Sequence, residues 1–261
     1  METQRYFLSL SYNGLAYHGW QRQPKGATIQ EAVERRMHLI LRQPVELTTA
    51  GRTDTGVHAR KTFAHFDGPA GLDPAWLTKR LNSFLPPDIA VRYIIPMPAE
   101  AHARYDAIRR EYAYHLIDRK DPFLKDFAWR LEAFPDWESM NQAAAILLQY
   151  EDFESFSKVK TDVKHFRCRL DYARWERIDR HHWVFRIGAN RFLRNMVRAI
   201  VGTLVEIGQG KRPPEAMHAI LEARDRRAAG ASAPGHGLFL ENVVYKPEIQ
   251  SLIDRAEEKW G

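Results

Sequence analysis

The sequence predicts an α+β protein built in two comparable halves. Three observations carry this. Short segments alternate apolar and polar residues with the period of a half-buried strand, as in Arg5–Tyr12, where Tyr6, Leu8, Leu10 and Tyr12 share a face. Other segments repeat apolar residues at helical spacing behind recognisable caps. The mixture of strands and helices recurs in both halves, which implies sheets covered by helices on one side.

The elements follow in order. Thr28-Ile29-Gln30-Glu31 is a capping box, and Ile29, Val33, Met37, Ile40 and Leu41 form the apolar stripe of the helix behind it. Val45–Ala50 and Lys61–Phe66 read as strands flanking the loop Gly51–His58. Asp73-Pro74 opens a second helix through Trp76, Leu77, Leu81 and Phe84, and Ile89–Ile95 closes the set as a strand. In the second half Arg109–Ile117 is strand-like, with Tyr112, Tyr114 and Leu116 on one face. A helix from about Trp137 to Tyr150 precedes strands near Asp171–Arg177 and Trp183–Ala189. A helix over Arg191–Ile207 comes next, then one started by Pro213-Pro214, then the strand Leu238–Tyr245. No sequence repeat is visible. The expected divisions are 1–103, 104–247 and a helical tail, 248–261, with Ile249, Leu252, Ile253, Ala256 and Trp260 available to pack on the body.

With 261 residues, 44% hydrophobic and 28% charged, the chain has an ordinary globular balance. No apolar run approaches the ~18 residues of a membrane helix. Met1 leads directly into the first strand rather than into a signal peptide, and Cys168 is the only cysteine. The expectation is a cytoplasmic protein without membrane attachment, disulfide or multi-cysteine zinc site. The net charge is +6, and between Lys158 and Arg198 twelve Lys or Arg face four Asp or Glu, a local excess of eight. Such a concentration favours a polyanion, nucleic acid before membrane, although a solvated basic face has the same composition.

The stretch Gly51-Arg52-Thr53-Asp54-Thr55-Gly56-Val57-His58 is the most telling for chemistry. Two glycines bracket an acid in a short loop, so the backbone can turn sharply and present one side chain. Arg52 stands where a cation can keep Asp54 ionised, and a fixed ionised carboxylate suits nucleophilic or general-base work. A surface hairpin with Asp and Gly as turn formers uses the same residues. Asp54-Thr55-Gly56 also matches the aspartic-protease triplet, but that chemistry needs two carboxylates sharing a proton and only one triplet exists. Arg191, Arg194 and Arg198 fall on one stripe if the segment is helical, a ridge suited to phosphates or to aiming one guanidinium at an acid. No acid between Asp179 and Glu206 offers them salt bridges on that segment. Ser155–Arg169 interleaves Lys158, Lys160, Lys164, Arg167 and Arg169 with Phe156 and Phe166, consistent with RNA tracking or with core phenylalanines under a basic loop. His58, His65 and His102 lack metal spacing, and Cys168 reads as a packing residue.

Taken together these segments resemble the tRNA pseudouridine synthase A family, from Tyr6 to about Tyr245. Tyr12-Asn13-Gly14 and Tyr17-His18-Gly19-Trp20-Gln21-Arg22-Gln23 are similar to its opening motifs, and Ala50–Ala59 to its catalytic loop. His102-Ala103-Arg104, Arg110-Glu111-Tyr112-Ala113-Tyr114, Asp152–Phe156, Phe192–Gly202 and Ala233-Pro234 with Gly237–Leu240 are similar to later blocks. The resemblance implies two ferredoxin-like α+β halves with antiparallel sheets joined across a basic central cleft. It implies a homodimer that binds tRNA and isomerises uridine to pseudouridine at positions 38, 39 and 40 of the anticodon stem-loop, with no cofactor and no metal. It also implies Asp54 as nucleophile, Arg52 and Arg198 as its cationic partners, Tyr112 over the target base and Leu238 against it. Arg191 and Arg194 are the expected substrate-binding residues of the ridge. Thr55, Asp106 and the segment Thr161–Cys168 depart from the family pattern. Two other functions fit parts of the sequence: a non-catalytic RNA-binding module, and an acid-dependent hydrolase with a second carboxylate near Asp54.

Overall fold

The computed structural model describes residues 2–159 and 163–260. Lys160 and Thr161, from the basic stretch read above, lie outside the described residues, as does Met1. Backbone contacts divide the chain into two compact units, Met1–Arg109 with Leu240–Gly261, and Arg110–Phe239.

The first unit runs β1 (Thr3–Tyr12), α1 (Ile29–Leu41), β2 (Thr48–Thr49), β3 (His58–Pro69), α2 (Pro74–Phe84) and β4 (Ile89–Met97). Strand β1 is central, antiparallel to β3 and β4, with Leu8 opposite both Ala64 and Ile94. Strand β2 pairs with β3, Thr48 opposite His65, so the order β4-β1-β3-β2 is the ferredoxin-like one. Thr28 caps α1 by accepting from the Glu31 N–H, and Asp73 caps α2 by accepting from Ala75 and Trp76. Ile29, Val33 and Met37 of α1 and Leu77 and Leu81 of α2 are fully buried. Trp76 and Phe84, read from spacing as part of the same stripe, are instead about half exposed.

The second unit repeats the plan with β5 (Ala107–Ile117), β6 (Trp129–Arg130), α3 (Trp137–Leu147), β7 (Leu170–Asp179), β8 (His182–Ala189), α4 (Met196–Gly208) and α5 (Ala216–Ala223). Strand β8 lies between β5 and β7, antiparallel to both, so Ile187 faces Tyr112 on one side and Ala173 on the other. The two-residue β6 joins β5 in parallel. Ala143, Ala144 and Leu147 of α3 and Ile200, Val201 and Leu204 of α4 are buried, and the two helices pack against each other.

Two elements then follow, β9 (Leu238–Tyr245) and α6 (Pro247–Trp260). Residues 240–245 continue the first unit beside β3, where Arg60 pairs with Glu241 at 3.0 Å. Helix α6 buries Ile249, Ile253 and Ala256. Its Glu257 accepts from Tyr93 Oη on β4 and pairs with Lys61 on β3. The sheet face carrying Lys61, Phe63 and Tyr93 is therefore covered too, which is why Phe7 and Ser9 are as buried as Leu8 and Leu10. One-sided cover, the expectation from sequence, does not hold for this unit. Among the described residues no helix is long and apolar enough to cross a membrane.

Candidate active site

In the first unit the loop between β2 and β3 holds Asp54 half-buried, with Arg52 and Thr55 exposed on either side. The turn itself is closed by Val57 N–H donating to the Asp54 carbonyl at 3.1 Å. Its third residue, Gly56, has φ +75°, a left-handed conformation that a side chain resists. Gly51, read from sequence as a second turning point, has no such φ.

A second segment, residues 12–20, is wrapped round this turn. Trp20 N–H donates to the Thr53 carbonyl at 3.1 Å and Gly56 N–H to the Tyr17 carbonyl at 3.2 Å. The Tyr12 and Thr53 hydroxyls are 2.9 Å apart in the buried interior. Gly19 has φ +87°, and a Cβ there would overlap the Thr53 carbonyl oxygen. Gly14 N–H donates to Nδ1 of buried His58 at 3.1 Å. Trp20, 1% exposed, is the apolar floor beneath these contacts. The residues on both sides of Asp54 are thus fixed by backbone bonds, and Asp54 itself is half-buried between them.

Sequence reasoning passed over Glu34. Its carboxylate is 4% exposed yet accepts from Leu47 N–H at 2.8 Å and Gln30 Nε2 at 2.9 Å, and pairs with Arg22. It ties α1 to the segments before and after it, both of which lead to the Asp54 turn. The signal available was an acid, Glu34, beside Val33 in the apolar stripe, which points to a buried and therefore paired carboxylate.

The second unit holds the remaining candidates. Tyr112, on β5, is 8% exposed and meets Phe192 edge-on at 5.0 Å between centroids. Leu238 is 5% exposed. Arg198 donates from Nε to the Ala233 carbonyl at 2.7 Å, and Ala233 N–H returns a bond to the Arg198 carbonyl at 2.9 Å. Its guanidinium is thereby held in one place beside Tyr114, whose hydroxyl donates to the Pro234 carbonyl at 2.8 Å. Burial raises the Tyr114 pKa, and the nearby Arg198 charge opposes that rise.

The arginine stripe requires correction. Helix α4 begins at Met196, so of the three arginines only Arg198 is helical. Asn195 takes the left-handed conformation, φ 67°, and donates to Ser232 Oγ at 2.6 Å, which ends any helical path back to Arg191. Arg194 is exposed in the preceding turn, and Arg191 donates toward His165 at 3.2 Å. Phe156 of the basic stretch is fully buried and Phe166 partly so, while Lys164, Arg167 and Arg169 are exposed. Burial pushes the Cys168 thiol up to about 11, as befits a packing residue. Among the described residues no group of three or more His, Cys, Asp or Glu is arranged to hold a metal ion.

Comparison with known proteins draws these local observations together. The model of a family described as tRNA pseudouridine synthase matches residues 9–106 and 143–246. The chain is 48% identical over 253 residues to the tRNA pseudouridine synthase A of Parabacteroides distasonis, covering 96% of this chain and all of that one. It is 49% identical over 248 residues to that of Porphyromonas gingivalis, covering 94% and 98%, and 48% identical over 250 residues to that of Bacteroides thetaiotaomicron, covering 95% and 93%. The matched span includes both the Asp54 turn with its supporting segment and the Arg198–Ala233 pairing, and the chain belongs to the tRNA pseudouridine synthase family.

Proposed function

We propose that this protein isomerises uridine to pseudouridine at positions 38, 39 and 40 of the tRNA anticodon stem-loop, with Asp54 as the nucleophile. The observation that carries the reading is the Asp54 turn. Its flanks are bonded to residues 12–20 from two directions, and Asp54 sits half-buried between them. A carboxylate carried on so fixed a turn needs little backbone reorganisation on meeting a nucleoside.

In this reading Asp54 adds to the nucleoside and the N1–C1′ bond breaks. The detached uracil turns, C5 bonds to C1′, and the bond to Asp54 breaks, which returns the carboxylate. C5 then gives up its proton, and N1 regains one, so substrate and product have the same atoms. No electron leaves or enters, so neither redox cofactor nor nucleotide is consumed. The target base must leave its stack, which calls for an aromatic face and an apolar wall. Tyr112 and Leu238 fill those roles. Arg52 and Arg198 keep Asp54 ionised, and Arg191 and Arg194 engage phosphates. The functional form is a homodimer.

The test is incubation with unmodified tRNA followed by nucleoside analysis and mapping of the modified positions. Asp54→Asn keeps the size of the side chain and removes its charge. It is expected to abolish pseudouridine formation, a loss of at least a thousandfold, with tRNA binding retained. A variant that forms pseudouridine at the wild-type rate removes Asp54 from the chemistry, and a wild-type protein inert on tRNA removes the function.

A further inference from the structure

The tRNA reading leaves unused an aromatic side chain that the structure takes pains to display. Tyr105 is 72% exposed, yet the turn that carries it is among the most heavily bonded in the first unit. His102 N–H donates to Asp106 Oδ2 at 2.7 Å and Asp106 N–H to the His102 carbonyl at 3.1 Å. Lys246 clamps the same acid, pairing through Nζ with Oδ1 at 2.9 Å and donating its N–H to the Asp106 carbonyl. The N–H groups of Arg104 and Tyr105 both donate to His102 Nδ1, at 3.1 and 3.3 Å. From below, Ala103 N–H donates to His65 Nδ1 at 3.1 Å and Tyr245 Oη to the Ala103 carbonyl at 2.9 Å. Asp106, a departure from the family pattern, is thus the clasp of this turn.

The ring is propped as well as displayed. Its centroid lies 4.2 Å from that of His102 and 5.8 Å from the Arg104 guanidinium carbon. Exposed aromatic surface is disfavoured in water, and a free tyrosine would lose rotamer freedom on binding. Here that freedom is already restricted, so a planar ligand stacking on the ring gains its contact at small entropic cost. Phe123 is more exposed still, at 85%, but among the described residues has no such ring and cation beside it. An aromatic face with an exposed arginine next to it matches an unpaired base and its phosphate.

We infer that Tyr105, with Arg104, forms a second RNA contact, a stacking platform for one unpaired base of the bound tRNA, separate from the Asp54 turn. The inference rests on the tRNA reading above. His58, bonded to the loop that supports Asp54, and His65, bonded to the Tyr105 turn, lie at opposite parts of β3, seven residues apart. At ~3.3 Å per residue that is roughly 23 Å. A contact supported from a different part of β3 than the Asp54 loop is expected to hold the RNA and leave the chemical step alone.

Binding of unmodified tRNA to the full-length protein, measured across a salt series, tests this. Tyr105→Ala is expected to raise Kd about tenfold, equivalent to ~1.4 kcal/mol, within the range of one base–aromatic stack. Tyr105→Phe is expected to stay within about twofold of wild type, since the π-face survives. Neither change removes a charge, so the salt slope is unaltered, whereas Arg104→Met reduces it by about one. Single-turnover rates at saturating Tyr105→Ala protein should equal the wild-type rate. Wild-type affinity in Tyr105→Ala overturns the inference while leaving the tRNA reading intact. A weakened variant that also falls to a lower mass in sedimentation overturns it too, because the ring is then a contact between copies of the chain. Failure of the wild-type protein to bind tRNA sinks both.

Discussion

Arg198 shows at the scale of single residues how a role is set by what fixes a side chain. Its Nε bond to Ala233 and the return bond from Ala233 N–H hold the guanidinium in one direction, whereas Arg194 is exposed in a turn. A cation meant to neutralise one carboxylate benefits from such fixing, and one meant for mobile phosphates does not. Arg198→Met is therefore expected to lower the single-turnover rate on saturating tRNA by about a hundredfold, or ~2.7 kcal/mol, with little change in Kd. Arg194→Met is expected to do the reverse, weakening binding severalfold and flattening the salt slope by about one. A normal rate in Arg198→Met at neutral pH withdraws its catalytic assignment. The tight turn that carries Asp54 was legible from sequence because acid and glycine are the residues such a turn favours. The Tyr12–Thr53 hydroxyl pair was not, since the two are 41 residues apart and only folding brings them together, and for Glu34 the sequence signalled burial but not its partner Leu47.

Among elements, periodicity found the long strands and most of the helices, the Pro213-Pro214 pair announced another, and caps placed the helix starts where the capping side chain acts alone. Thr28 and Asp73 bond within their own helices and were readable for that reason. The start of α4 was not. Phe192, Leu193, Met196 and Val197 keep helical spacing, but Asn195 is turned out of the helix by its bond to Ser232, thirty-seven residues away. Tertiary structure overrides propensity here. The consequence is testable. A non-glycine residue at positive φ is tolerated in asparagine better than in alanine, so Asn195→Ala loses both a bond and a permitted conformation. It is expected to destabilise the fold by about 1–2 kcal/mol in urea melts, and Asn195→Gly by less, since glycine restores the backbone freedom. Equal stability of the two variants points to the Ser232 bond alone.

At the scale of the whole molecule, net charge and buried histidine make two different demands on solution conditions. The basic stretch from Lys158 to Arg198 is partly neutralised where it forms strands, as Arg174 and Arg186 both pair with Glu176. The exposed Lys164, Arg167 and Arg194 remain suited to phosphates. Affinity for tRNA should accordingly fall steeply with salt, with a log–log slope of roughly −3 or steeper, at about −0.9 per phosphate neutralised in a duplex. A flat salt series removes the RNA-binding role of this stretch.

Acid acts on the fold itself, through His65. Burial first, then the charges of Arg5 and His102, hold its pKa down at about 4, while Asp67 pulls the other way. The ring is 7% exposed and accepts the Ala103 N–H through Nδ1, a bond only the ring with that nitrogen unprotonated can accept. The folded pKa lies below the unfolded value near 6.5, so the unfolded chain binds more protons between these two limits. The contribution to stability is complete above about pH 6.5 and is lost as pH falls toward 4. Its size is on the order of 3 kcal/mol for a shift of this magnitude. His102, whose pKa is also lowered, adds in the same direction. Asp67 and Asp106 are held below the usual carboxylate range by Arg5 and Lys246, so their losses come at lower pH and are separable. His65→Gln offers an amide oxygen to Ala103 but cannot titrate. Urea midpoints from pH 7.5 to 4.5 should therefore fall less in the variant than in wild type, by the equivalent of about 2 kcal/mol. Parallel curves place the acid sensitivity in other groups and leave His65 a packing residue.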